Sequence, residues 1–178
     1  MSPEEHEGNP TSAPVRFERR LLLAWRTLPH SPAADGFAVG LSRFGDHARG
    51  WVALGLAGAV CDRRRAPRWF VAAATAEVTE QASRQVKRIA RRERPELEGL
   101  PPLAGVTSRY SFPSSHTATA IAAVYTFGGL LPRPALMVWA LLTAASRPYL
   151  GVHYPSDVAF GALLGWVTGK IAHELTSR

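Results

Sequence analysis

The chain has 178 residues, enough for one domain with a sizeable core and too few for two ordinary ones. Its net charge of +7 and isoelectric point near 10.5 suit an anionic partner, and its single cysteine, Cys61, excludes an intrachain disulfide and a cysteine-rich metal site. A hydrophobic fraction of 46% and a mean hydropathy of -0.06 would suit a soluble protein, yet the apolar residues crowd into blocks after residue 50.

In chain order, residues 1–14 are polar and rich in Pro, Ser and Glu, which reads as a disordered tail. Acidic residues and prolines stand where a secretory signal would carry basic residues before an apolar run, so no cleavable signal is expected. Residues 15–33 begin VRFERRLLLAWRTLP and suit an amphipathic helix at a membrane surface; packing of the same helix on a soluble core fits the segment equally well. From Asp35 to Cys61 the chain turns apolar and ends against Arg63, Arg64, Arg65 and Arg68, as a membrane helix with a basic stop would. A second block, WFVAAATAEV, runs into Gln81, Arg84 and Lys87, so its lower half is expected to face protein or water. Glu77 and Glu80 within it are expected to pair with nearby arginines.

The prolines and glycines between Arg91 and Arg109 predict a long irregular loop. Three more apolar blocks follow, His116–Leu131, Pro134–Ala145 and Val158–Ala172, two of them carrying recurrent Ala or Gly that permits close helix packing. None reaches the about 20 uninterrupted apolar residues of an ideal span. Trp51, Trp69, Trp139 and Trp166 fall near block ends, where interfacial aromatics belong. With no alternating strand pattern and no internal repeat, the expectation is all-α: a membrane-embedded bundle of about five core helices over residues 34–178, preceded by the interfacial helix.

Three stretches carry chemistry: KRIARRERP from Lys87, PSSH from Pro113 and SRPYLGVHYPSD from Ser146. Lys87 and Arg94 are seven apart, which puts both on one helical face, and Pro95 is expected to end that helix at Arg94 and free its guanidinium to reach into a site. A basic face for lipid headgroups is the alternative. Pro113 suits a helix start at which Ser114 and Ser115 can turn hydroxyls and N–H groups towards an anion, with His116 just inside to donate a proton; an ordinary cap is the alternative. Pro155 marks another helix start, placing Asp157 in the first turn and His153 just before it. Asp157 can then hold one ring nitrogen of His153 while the other attacks phosphorus, or serve only as a cap. A metal held by His153, Asp157 and His116 would be repelled by the accompanying cations.

In this order, K-x6-R-P, P-S-S-H and S-R-x5-H-x3-D resemble the type-2 phosphatidic acid phosphatase family, which shares its site with bacterial nonspecific acid phosphatases and vanadium haloperoxidases. The resemblance implies a metal-independent phosphatase in which His153 forms a phosphohistidine, Asp157 orients it, and His116 is general acid and then base. It assigns Lys87, Arg94 and Arg147 to the phosphoryl oxygens, helped by Ser114 and the backbone of Ser115, where the family usually has glycine. Implied too are a multi-pass cell-membrane location, a phosphorylated lipid as partner with no nucleic acid, and no cofactor. Phosphatidic acid, phosphatidylglycerol phosphate and polyprenyl-linked phosphates, including a phosphosugar on polyprenyl phosphate, are the candidate substrates. If the Arg63–Arg68 turn is cytoplasmic, the motifs face the extracytoplasmic side. Two rivals remain: a soluble-type acid phosphatase or haloperoxidase, and a non-catalytic protein binding anionic lipid.

Overall fold

The computed structural model describes residues 13–176, and over them the chain forms seven α-helices: α1 (Ala13–Arg26), α2 (Pro32–Gly45), α3 (Arg49–Cys61), α4 (Ala66–Ala90), α5 (Ser115–Thr126), α6 (Arg133–Tyr149) and α7 (Pro155–Thr176). Among the described residues the only β pairing is an isolated bridge between Glu93 and Tyr110, so the all-α expectation holds. Most of the tail expected at residues 1–14 lies outside the described residues.

Two expected helices differ from those observed. The apolar stretch from Asp35 to Cys61 is two helices, because Asp46–Ala48 forms a 3-10 turn with His47 (φ 54) and Ala48 (φ 56) in the left-handed region. The apolar run WVALGLAGAV belongs to α3 alone. Residues before it form α2, started by Ser31, whose hydroxyl accepts from the Ala34 N–H, and by Pro32 in the first turn. The helix expected over residues 15–33 is α1, which stops at Arg26, well short of residue 33. α4 likewise ends before Arg94, at Ala90, with Arg91 (φ 47) as a left-handed cap, so Lys87 and Arg94 do not share a helical face.

Antiparallel connection of α3 to α7 brings the motifs to one end of the bundle. The C-terminus of α4, the N-terminus of α5, the C-terminus of α6 and the N-terminus of α7 meet there, while the arginine turn Arg63–Arg65 lies at the other end. Arg65 Nη1 donates to the Gly129 carbonyl there at 3.3 Å. α4 has 25 residues, which at 1.5 Å each separates the two ends by about 37 Å.

The most extensive helix contact, α5 with α7, rests on small residues. Gly161, Gly165 and Gly169 sit at four-residue intervals on α7 and face Ser114, Ala118 and Ala122 on α5. A Cβ on Gly165 would come within 2.2 Å of the Ala118 carbonyl oxygen. Only glycine allows this backbone approach, which fixes His116 relative to Asp157.

Trp51, Trp69 and Trp139 are not interfacial as a group: Trp51 and Trp69 are buried and Trp139 packs on Phe44 and Trp51, all in one aromatic cluster with Phe127. The alanines and glycines of the bundle leave space that these large rings fill, as Trp69 does over Gly58. Trp166 alone of the four is exposed, with Lys170 Nζ 5.4 Å from its ring centre. No helix among the described residues is long and apolar enough to cross a membrane by itself. The longest, α4, is interrupted by Glu77, Glu80, Arg84 and Lys87. Glu80 pairs with Arg84 as expected, whereas Glu77 accepts a hydrogen bond from Gln81.

Candidate active site

At the motif end a cavity of about 280 Å³ opens between the helix termini and the 91–114 loop. Lys87, Arg94, Ser115, His116, Arg147 and His153 all line it, so the three sequence stretches contribute to one space.

Each cation is held by its own scaffold. Lys87 is buried on the last turn of α4, and its ammonium donates to the Pro113 carbonyl and, at 2.9 Å, to the Ser111 carbonyl. An ammonium has three N–H groups, so one remains for a ligand. Arg94 donates from Nε to the Ser108 carbonyl at 2.7 Å and from Nη1 to the Val152 carbonyl at 2.7 Å, which bends the loop over the cavity. Arg147 lies in the last turn of α6, where Ser146 Oγ accepts from Nη2 at 2.8 Å and Ser42 Oγ accepts from Nη1 at 3.1 Å. It is 1% exposed, so its charge is directed inward rather than to solvent.

His153 sits in the α6–α7 connection, its Nε2 at 3.3 Å from Arg94 Nη1 on the cavity side. Its Nδ1 faces Asp157 Oδ2 at 3.4 Å, longer than an ordinary N–H···O bond, and Nδ1 has no hydrogen-bond partner among the described residues. The expected carboxylate is thus in line behind the ring, with the hydrogen bond not drawn tight. Burial, and then the charges of Arg94, Lys87 and Arg147, push the His153 pKa well below the usual histidine value, so the ring is neutral at neutral pH.

Asp157 itself is fully buried outside the cavity. Its Oδ2 accepts from the Tyr154 N–H at 2.9 Å and its Oδ1 from Arg92 Nη1 at 3.0 Å. Arg92 stacks over the Tyr154 ring, 4.1 Å from its centre, and donates through Nη2 to Glu18 of α1 at 2.6 Å. Glu18 also accepts from the Ser156 N–H at 2.9 Å, so α1 is tied to the first turn of α7.

His116, in the first turn of α5, donates from Nε2 to the Ser42 carbonyl at 2.9 Å and approaches Asp46 Oδ1 at 3.2 Å. Its Nδ1 is free of protein partners among the described residues. The hydrogen bond from His116 holds the Asp46 carboxyl below its usual range despite partial burial. Ser114 departs from expectation. It is fully buried behind the cavity, and its hydroxyl caps α5 at Thr117, with Thr117 Oγ1 at 3.0 Å, while its N–H donates to the Asp157 carbonyl at 2.9 Å. A hydroxyl at an N-cap turns to the free N–H groups of its own helix, which takes it away from a ligand.

Arg92, Glu18, Ser42 and Asp46 escaped the sequence reading. Arg92 is one arginine in a run of basic residues, and Asp46 looked like part of an apolar helix; only folding places each beside its partner. Among the described residues no three His, Cys, Asp or Glu side chains converge as a metal ligand set.

Residues 63–178 match the model of the PAP2 superfamily. The decaprenylphosphoryl-5-phosphoribose phosphatase of Mycobacterium tuberculosis is 43% identical over 163 residues, covering 90% of this chain and 91% of that protein. The enzyme of that name from Mycolicibacterium smegmatis is 39% identical over 155 residues, covering 85% of this chain and 84% of its own. The fold is also that of the crystal structure of a transmembrane PAP2 type phosphatidylglycerolphosphate phosphatase from Bacillus subtilis, with TM-score 0.77 and 21% identity over 94% of this chain and 88% of that one. Aquifex aeolicus LpxE superposes with TM-score 0.72 and 23% identity over 89% and 95% of the two chains. A family match over most of the chain, relatives spanning nearly all of it and a shared helical fold establish that this protein belongs to the PAP2 superfamily of phosphatases.

Proposed function

We propose that the protein is an integral membrane lipid phosphatase that removes the phosphomonoester from a phosphosugar carried on a polyprenyl phosphate, through a phosphohistidine and without a metal. The observation that carries the mechanism is the convergence of Lys87, Arg94, Arg147, His116 and His153 on one cavity. The substrate class rests on the two phosphoribose-lipid phosphatases that match this chain along nearly its whole length.

In the proposed reaction the three cations bind the phosphoryl oxygens and offset the charge that grows in the transition state. His153 Nε2 attacks phosphorus as the bond from phosphorus to the sugar oxygen breaks, and His116 passes a proton to that oxygen. The positive charge left on the His153 ring is stabilised by Asp157 at Nδ1, which tightens the 3.4 Å approach. His116 then takes a proton from water, the water oxygen attacks phosphorus, the bond to Nε2 breaks, and inorganic phosphate leaves. Ser115 contributes its backbone N–H at the mouth of α5.

The membrane assignment is supported by which side chains the bundle leaves outside. Leu56, Val60, Phe70, Met137, Leu141, Phe160, Leu163 and Ile171 are all exposed on the flanks of α3, α4, α6 and α7. In α1, Phe17, Leu21 and Trp25 point outward, whereas Glu18 and Arg26 face the protein. Leu22 on the same helix is buried against the protein, so α1 is anchored to the bundle on one side and shows an apolar strip on the other, which suits an interfacial position. With the Arg63–Arg65 turn cytoplasmic, the cavity at the opposite end opens on the extracytoplasmic side.

The test is phosphate release from a panel of polyprenyl-phosphoryl phosphopentose, phosphatidic acid and phosphatidylglycerol phosphate, with and without a chelator. The phosphopentose lipid is expected to have the highest kcat/KM, unchanged by the chelator. A strong preference for either glycerolipid would overturn the substrate class, and loss of activity with the chelator would overturn the metal-free mechanism.

A further inference from the structure

The cavity is also lined by three side chains that phosphoryl transfer does not use, His47, Glu80 and Arg84. Glu80, Arg84 and Lys87 follow at spacings of four and three on α4 and so share one face. Glu80 lies about 10 Å along the axis from Lys87, towards the middle of the bundle. Arg84 Nε donates to Glu80 Oε1 at 2.9 Å, and Arg84 Nη2 donates to His47 Nδ1. Arginine can only donate, so His47 Nδ1 is an acceptor and the ring proton is on Nε2. Glu80 Oε2 takes no hydrogen bond among the described residues.

A carboxylate beside a phosphate pocket repels the phosphate, so Glu80 does not serve the same ligand atoms as Lys87. A phosphoryl oxygen only accepts, whereas a hydroxyl both donates and accepts. The free carboxylate oxygen and the imidazole N–H therefore match hydroxyl groups, and both side chains line the same cavity as the cations. We propose that Glu80 and His47, joined by Arg84, form a subsite for the hydroxyls of the sugar bonded to the scissile phosphate. Glu80 Oε2 accepts from the ring hydroxyls, and His47 Nε2 donates to a hydroxyl or ether oxygen. The subsite deepens the phosphosugar-lipid reading above and rests on it.

The test uses the full chain in detergent, with a polyprenyl-phosphoryl phosphopentose and dioctanoyl phosphatidic acid, which has no hydroxyl near its phosphate. The readout is the ratio of kcat/KM between the two substrates. Glu80→Gln is expected to lower that ratio roughly 10-fold, the size of one lost hydrogen bond to a charged group. His47→Asn, a residue that tolerates the left-handed backbone here, should lower it in the same direction and decides the matter if Glu80→Gln does not fold. A ratio unchanged in the variants, including a parallel loss on both substrates, assigns the cluster to scaffolding and overturns the subsite. A wild-type protein with no preference for the phosphopentose lipid overturns the substrate reading and the subsite with it.

Discussion

Arg92 joins Asp157 to Glu18, giving Nη1 to the first at 3.0 Å and Nη2 to the second at 2.6 Å. One guanidinium thus connects the carboxylate behind His153 with the N-terminal helix. Arg92→Ala would leave the fully buried Asp157 without its charged partner and free to turn from the ring. We expect kcat to fall roughly 10- to 100-fold with a smaller change in KM, as suits the loss of a hydrogen bond to a charged group. Glu18→Gln should show the same pattern in weaker form, and Arg92→Lys should restore part of kcat. A residue that merely supported folding would lower the unfolding temperature without this split between kcat and KM.

The acid limb of kcat/KM should lie below the usual histidine range. Burial and three nearby cations lower the His153 pKa, so the neutral nucleophile persists as pH falls past 6.5 and is lost only at lower pH. Replacing Arg94 by Met removes the cation that lowers it most, and the limb should move up towards 6.5. Measuring wild type and variant on the same substrate cancels the titration of the substrate phosphate.

In the proposed reaction His116 protonates the leaving oxygen; burial lowers its pKa, and Asp46, 3.2 Å away, works in the other direction by favouring the charged form. Asp46→Asn should therefore slow substrates with poor leaving groups more than those with good ones. With an alkyl phosphate we expect a loss of roughly 100-fold, within the range for general acid catalysis. With p-nitrophenyl phosphate, whose leaving group needs no proton, the loss should be several-fold at most.

Glycines on α7 allow a direct test of packing. Gly165→Ala puts a Cβ 2.2 Å from the Ala118 carbonyl oxygen, so α5 and α7 must separate. The cost should be about 1–3 kcal/mol of stability, accompanied by lost activity because His116 and Asp157 lie at the adjoining helix starts. Gly40 on α2, where a Cβ meets nothing within 4 Å, is the control: Gly40→Ala should be neutral or stabilising by up to about 1 kcal/mol. Thermal unfolding of the two variants in detergent checks the contrast.

That Lys87, Arg94, Ser115, His116, Arg147 and His153 share one cavity was legible in the sequence because their spacing carries the information, whereas Ser42, Asp46, His47, Glu80 and Arg84, which line it too, were not. Prolines at 113 and 155 fall at or just before the starts of α5 and α7, with His116, His153 and Asp157 beside them, whereas α4 ends at Ala90, five residues before Pro95. What could not be read was the support around them. Asp46 reaches His116 across 70 positions, and Glu18 reaches Arg92 across 74; no local period encodes such pairs. The helix break at Asp46–Ala48 was hidden by averaging over the apolar run that follows it. Trp51 and Trp69 looked interfacial because block ends in sequence are not block ends in space: the bundle folds them inward over alanine and glycine. For Ser114 the sequence leaves an anion site and a helix cap both open, because the two use the same residue types, and the structure shows the cap.

Phosphoryl transfer to an imidazole nitrogen can be observed directly. The purified protein would be mixed with substrate labelled in the scissile phosphate, quenched within milliseconds by strong base, and digested to locate the label. We predict an acid-labile, base-stable phosphoramidate on His153, formed as fast as turnover in the wild type and absent from His153→Ala, which should release no phosphate. Turnover with label never bound to protein, or undiminished hydrolysis by His153→Ala, would contradict the account.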